Sequence, residues 1–281
     1  MNDFCQIQLK ISLHILDVCQ RHGLRIWAEW GTLLGAVREH GFIPWDDDID
    51  FMMMRNDYEK LISLADTEFK SPFFLQCPST DKDYYRGHAQ VRYDGTSAIL
   101  PADINQRFHQ GIFVDIFVND NIPDEFGHKW NLCIRRAKWA QKCLQTAYYK
   151  NFNIKEPGTS MKYIIAKTAC LLFGAKRIYN FYERQFTKWN QTDCHRVAST
   201  VANYRNLNIK LKEKSWYDET VMMKFENIEL PVPAHYHDVL TVEYGPDYMT
   251  PRKASTSHGE VIIYTDRPYQ EVLAELKNKR S

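Results

Sequence analysis

Four carboxylates stand within five residues at Asp46-Asp47-Asp48-Ile49-Asp50, and the chain then runs directly into the apolar Phe51-Met52-Met53. So dense a negative cluster repels itself and favours the unfolded chain, so a fold that buries it needs a cation to hold it. On a strand, Asp46, Asp48 and Asp50 share one side while Asp47 and Ile49 face the other. Asp48 and Asp50 are the stronger pair, because they stand on the segment that continues into apolar residues. Two carboxylates pointing the same way suit a hard divalent cation, Mg2+ or Mn2+. Three other readings compete. The cluster is also what an exposed acidic turn looks like. A calcium loop would take Asp46, Asp48 and Asp50 as its first ligands, but Phe51 then falls where that loop needs glycine and Asp57 where it prefers glutamate. Finally, an Asp-x-Asp pair also serves metal-dependent glycosyltransferases.

The residues ahead of the cluster separate these readings. Gly31-Thr32 opens a segment, through Arg38, with the composition of a helix, and free N–H groups at a helix start favour a phosphate. A phosphate cradle followed by a carboxylate pair makes a site for a nucleotide diphosphate with its metals. A third carboxylate is expected from a neighbouring strand, and Asp115 is the candidate: it is the lone charge in Ile112-Phe113-Val114-Asp115-Ile116-Phe117-Val118. A charge in a buried strand is costly unless it is paired or bound to metal. The competing reading is an aspartate paired with a core arginine.

The rest of the chain reads as a mixed α/β protein. Phe4, Ile7, Ile11, Ile15 and Val18 step by three and four, as on one face of a helix. Strands are expected at Arg25–Ala28, Asp48–Met53, Phe73–Gln76, His88–Arg92, Ser97–Leu100 and Gly111–Val118. Asn56 or Asp57 is expected to cap a helix after the second strand, and Asp94-Gly95 marks a turn. Helical patterning from about Asp124 to Trp189 breaks near Asn151 to Gly158. A hairpin, Val221–Phe225 with Ile228–Val232, and a helix at about His235–Tyr244 follow. These divisions predict a catalytic core over 1–123, a basic helical lobe over 124–215 and a C-terminal extension over 216–281 that packs on the core.

With 281 residues, 44% of them hydrophobic, the chain can bury a full core. Seven cysteines, an odd number with no two-residue spacing, fit a reduced, intracellular protein. Met1–His22 reads as a folded helix and not a signal peptide. The most apolar segment, Tyr163–Ala175, contains Lys167 and is shorter than the ~20 residues that span a bilayer. From Phe126 to Tyr182 eleven basic residues face the single acid Glu156, within a chain of net charge +1. That asymmetry points to an anionic surface, phospholipid or glycan, against the plainer reading of solvated helix faces. No RNA-binding module is present and the basic residues lie away from the aspartates in sequence, so no nucleic-acid partner is expected.

Gly31–Arg38, Gly41–Asp50 and Gly111–Phe117 together resemble the LicD family of bacterial phosphocholine transferases, whose wider group includes fukutin and the fukutin-related protein. The similarity runs through Arg92 and Thr96 to Phe225–Pro233 and Tyr244–Met249; Glu39-His40 departs from the pattern. The resemblance implies a nucleotidyltransferase-type core, divalent metal on Asp48, Asp50 and Asp115, a CDP-alcohol donor (CDP-choline foremost), CMP as leaving group and a glycan acceptor such as lipopolysaccharide, teichoic acid or capsule. Gly31 and Thr32 would hold phosphate, with Arg38, Arg92 and Thr96 as further candidates; for each of the latter the alternative is a surface salt bridge. Trp27, Trp30 and Trp45 flank the site in sequence, where an aromatic face would suit choline, although tryptophans beside buried strands more often belong to the core. The rival readings are a nucleotide-sugar glycosyltransferase and a non-catalytic nucleotide-binding scaffold. The expected location is cytoplasmic, with peripheral contact at the inner face of the cell membrane.

Overall fold

The first helix forms where its apolar spacing places it. In the computed structural model, which describes residues 2–46, 48–145, 159–199, 210–253 and 261–278, α1 spans Asp3–His22. The Asn2 side chain accepts from the Cys5 N–H at its start (2.8 Å), and Gly23 in the left-handed region ends it. Asp47 and the break expected near Asn151–Gly158 lie outside the described residues.

The core elements follow in order: β1 (Trp27–Ala28), α2 (Trp30–Arg38), β2 (Asp50–Met54), α3 (Arg55–Ser63), the short α4 (Ala65–Glu68), β3 (Phe73–Gln76), β4 (Ala89–Tyr93), β5 (Ser97–Ile99) and β6 (Ile112–Ile122). The helical segment follows as α5 (His128–Leu144), α6 (Thr159–Phe173) and α7 (Ala175–Thr187). Then come β7 (Arg196–Ala198), β8 (Lys212–Glu213), the hairpin β9 (Thr220–Phe225) with β10 (Ile228–Pro233), α8 (Tyr236–Tyr244), β11 (Ile262–Tyr264) and α9 (Tyr269–Asn278).

Among the described residues the central sheet has seven strands, with the path β1-β2-β6-β4-β3 and β7 and β8 joined at the far end of β6. Only β2 and β6 run parallel in it; the other pairings are antiparallel. Strand alternation divides the sheet into two faces. Ile112, Val114, Ile116 and Val118 are fully buried with Ala89 and Val91, and α1 covers this side, with His14 stacked on Phe73 at 4.0 Å. The opposite face carries the polar alternates, and the candidate site lies there. The architecture is the expected mixed α/β fold.

Four local expectations need correction. The second strand begins at Asp50 and not Asp48, so Asp46 and Asp48 stand in the loop before it and the strand alternation does not govern them. On one side its neighbour β1 ends at Ala28 and α2 begins at Trp30, while on the other the Asp115 N–H still donates to the Ile49 carbonyl (3.0 Å). Neither Asn56 nor Asp57 caps α3, which opens at Arg55 without a side-chain cap; Arg55 is drawn inward by acids on β6 and α7. After the Asp94-Gly95 turn, β5 leaves β4 and pairs with β11. β7 and β8 extend the central sheet from within the stretch read as helical lobe.

The lobe helices bury their own apolar cluster, including Trp130, Tyr182 and Phe186. It is fastened to the sheet by Arg55, which donates twice to Asp120 on β6 (2.8 Å each) and once to Glu183 on α7 (2.9 Å). The β9–β10 hairpin packs Phe225, Leu230 and Val232 into the main core.

Candidate active site

The register of the sheet draws one polar row across four strands. Gln76 on β3 pairs with Gln90 on β4, Gln90 with Asp115 on β6, and Asp115 with Asp50 on β2. Strands lie about 4.8 Å apart and in-register residues share a face. Two carboxylates from distant parts of the chain therefore stand side by side on the face away from α1. The Glu29 N–H, donating to the Asp50 carbonyl at 3.0 Å, continues the row beyond the end of β1.

The two aspartates sit in different surroundings. Asp115 is 7% exposed and lies between Phe113 and Phe117 on its own strand. Burial alone would raise its pKa, but His88 at 3.2 Å, the Gln90 amide donating at 2.6 Å and the more distant Arg92 charge hold it below the usual carboxylate range. Asp50 has no such help: burial first, then Asp48, Asp115, Asp46 and Glu29, push its carboxyl well above the ordinary value. Among the described residues no side chain donates a hydrogen bond to it. One buried carboxyl is thus held ionised while its neighbour resists ionisation, an arrangement common where chemistry is performed. The repulsion at Asp50 is what a divalent cation would relieve, and the oxygen-only donors of Asp48, Asp50 and Asp115 match a hard cation in type. Among the described residues no three His, Cys, Asp or Glu side chains are gathered around one metal position.

The start of α2 adjoins this row. Thr32 accepts the Asp50 N–H on its hydroxyl (2.8 Å), tying helix to strand, and no side-chain cap bond closes the helix start at Glu29. A Cβ at Gly31 would collide with the Asp46 carboxylate, and one at Gly35 with the Gly41 carbonyl; both glycines are there because other groups come close. Glu29 is fully buried and bound by Lys212 and the Tyr217 hydroxyl, which fixes the point from which α2 departs. Burial would discharge Lys212, but Glu29 and Glu243 keep its ammonium well above the ordinary pKa.

The remaining sequence candidates make contacts within the protein. Arg92 is buried and donates to the Gln76 side chain (2.8 Å), the Gly111 carbonyl (2.7 Å) and Gln90 (2.5 Å), above the Phe113 ring; burial lowers its pKa to about 10. By holding the Gln90 oxygen it turns the Gln90 amide toward Asp115, and so positions that carboxylate. Thr96 donates to the Tyr93 carbonyl and accepts from the Ile112 N–H, securing the turn after β4. Arg38 is committed to Glu39 and the Tyr248 carbonyl. Contrary to the core-arginine reading, Asp115 is contacted by His88 and Gln90.

Sequence reading missed His88, Gln90 and Glu29. The alternation of Gln90 and Arg92 with buried Ala89 and Val91 was the available signal for a polar sheet face. Of the tryptophans, Trp27 is core, with its indole donating to Thr220 (2.8 Å), and Trp45 packs on the core. Trp30 is only partly buried and has φ of +45°, a strained backbone for a bulky residue. Its ring meets Phe117 edge-on at 4.6 Å, and Phe117 stacks on His88 at 4.5 Å. An aromatic wall thus borders the carboxylates.

A mixed sheet bearing paired aspartates beside a helix start defines the class: a nucleotidyltransferase-type domain. Residues 23–153 match the family profile described as "LicD/FKTN/FKRP, nucleotidyltransferase domain". It is 27% identical over 246 residues to the lipopolysaccharide cholinephosphotransferase LicD of Haemophilus influenzae, covering 86% of this chain and 90% of that one. An uncharacterized protein of Rickettsia prowazekii is 46% identical over 110 residues, 39% of this chain and 38% of that protein. The ribitol 5-phosphate transferase FKRP of Mus musculus is 31% identical over 77 residues, 26% of this chain and 16% of that protein.

Proposed function

We propose that this protein transfers a phospho-alcohol, phosphocholine foremost, from a CDP-alcohol to a hydroxyl of a cell-surface glycan and releases CMP. The observation that carries the reading is the in-register pair Asp50 and Asp115 beside the start of α2, in a chain similar over most of its length to a lipopolysaccharide cholinephosphotransferase.

Phosphoryl transfer asks a protein mainly to position reactants and neutralise charge. The backbone at Gly31 and Thr32 receives donor phosphate oxygens at the helix start. Asp48, Asp50 and Asp115 hold Mg2+ or Mn2+, which when bound supplies charge neutralisation at the diphosphate. Asp46, against Gly31, yields its place to the incoming anion. The acceptor hydroxyl oxygen bonds to the phosphorus that bears the alcohol, and the bond from that phosphorus to the CMP oxygen breaks, its electron pair leaving with CMP. Asp115, kept ionised by His88 and Gln90, takes the hydroxyl proton. Trp30, at the end of the aromatic border formed with Phe117 and His88, would give a ring face to a trimethylammonium headgroup, which supports choline over the uncharged alcohols.

The test is turnover. With purified protein, Mg2+, CDP-choline and a lipopolysaccharide acceptor, CMP and glycan-bound phosphocholine should appear in equal amounts, and Asp115→Asn should abolish both. Sugar transfer from UDP-glucose, with CDP-choline inert, would assign the site to a glycosyltransferase.

A further inference from the structure

The lobe exposes an apolar helix end that neither the sheet nor the lobe's own core uses. α6 buries Ala166, Ala169 and Cys170 against its neighbours, while six of its large apolar side chains face outward. Leu171, Leu172 and Phe173 are 82%, 71% and 57% exposed, and Met161, Ile164 and Ile165 are each more than half exposed. An ordinary surface helix turns such residues inward. Lys176 and Arg177 follow at the start of α7, and Lys138 and Lys142 lie exposed on α5, beside Trp139, itself exposed and edge-on to Phe181. A cleft of about 280 Å³ on the same lobe, lined by Lys129, Arg136, Lys188 and Trp189, carries the same sign of charge.

We infer that this face docks on an anionic phospholipid bilayer, with Leu171, Leu172 and Phe173 entering the headgroup boundary and Lys176 and Arg177, which follow them in the chain, meeting lipid phosphates. Charge complementarity selects this occupant. Eleven basic residues against one acid between Phe126 and Tyr182 would set two copies of the chain repelling each other, whereas a surface of anionic lipid attracts them. Apolar side chains flanked by cations are the composition that lies in a membrane interface. α6 cannot span the bilayer: its 15 residues rise about 22 Å, against a hydrocarbon core of about 30 Å. The inference does not depend on the chemistry of the carboxylate site.

Co-sedimentation of the purified full chain with vesicles tests it. Vesicles of phosphatidylcholine with phosphatidylglycerol should pellet the protein at low salt, pure phosphatidylcholine should not, and salt near 1 M, where charges are screened within about 3 Å, should release it. The triple variant Leu171→Ser, Leu172→Ser, Phe173→Ser and the double variant Lys176→Gln, Arg177→Gln should each weaken partitioning by on the order of tenfold. All five side chains are exposed, so thermal midpoints should not move; if one variant fails to fold, the other decides. Equal binding to neutral and anionic vesicles, no binding to either, or undiminished binding by folded variants would overturn the inference. So would a dimer in sedimentation velocity that only the triple variant loses, which would make a second copy the occupant.

Discussion

Asp50 is the residue at which stability and the proposed function pull against each other. Unfolded, its carboxyl ionises near its usual value of about 3.9; folded, it is held well above that by burial and by Asp48, Asp115, Asp46 and Glu29. Between the two values the folded state binds the additional proton, so stability falls as pH rises through that window. At neutral pH without metal, Asp50→Asn should therefore raise the melting temperature by roughly 2–4 °C, the shift expected of about 1 kcal/mol in a domain of this size, while removing activity. A lower melting point in EDTA would show that Asp50 is not electrostatically strained. Gln90 offers a second test, because Arg92 holds its oxygen while its amide donates to Asp115. Gln90→Met keeps the volume and loses the donor, and should lower kcat by about 10- to 100-fold, as loss of such supporting partners does, with a nearly unchanged circular dichroism spectrum.

At the scale of elements, helix and strand periodicities were plain in the sequence, but what joins distant elements was not. The spacing of Ile7, Ile11, Ile15 and Val18 specifies α1, and the apolar run around Asp115 specifies β6. The row Gln76, Gln90, Asp115, Asp50 exists only through strand order, which no local pattern encodes. The same holds for Arg55, which stands just before the cap expected at Asn56 or Asp57. It is instead 5% exposed and joins α3, β6 and the lobe through Asp120 and Glu183. Removing one partner of a buried ion pair strands the other charge, at a cost of about 3–5 kcal/mol. Arg55→Ala should show that loss in urea denaturation; a change below about 1 kcal/mol, within the range of an exposed pair, would mean that the lobe is held by apolar packing alone.

Across the whole molecule, the acidic cluster and the basic lobe occupy different parts of one fold. The lobe returns β7 and β8 to the end of β6, the strand that carries Asp115, so its helices and the carboxylates share a structural support. Charge asymmetry was legible as a count in the sequence, whereas the outward-facing Leu171, Leu172 and Phe173 were not, since an apolar run reads equally well as core. The glycine-rich and aspartate-rich motifs pointed to the candidate site. Its aromatic border and the His88 and Gln90 contacts needed the sheet. The central claim, that the carboxylate row binds a CDP-alcohol together with divalent metal, is tested most directly by calorimetric titration of CDP-choline into the purified protein, with Mg2+ and then in EDTA. Saturable binding that requires Mg2+ and is lost in Asp50→Asn is the predicted result; binding indifferent to metal and to that substitution, or a preference for UDP-glucose, would contradict it.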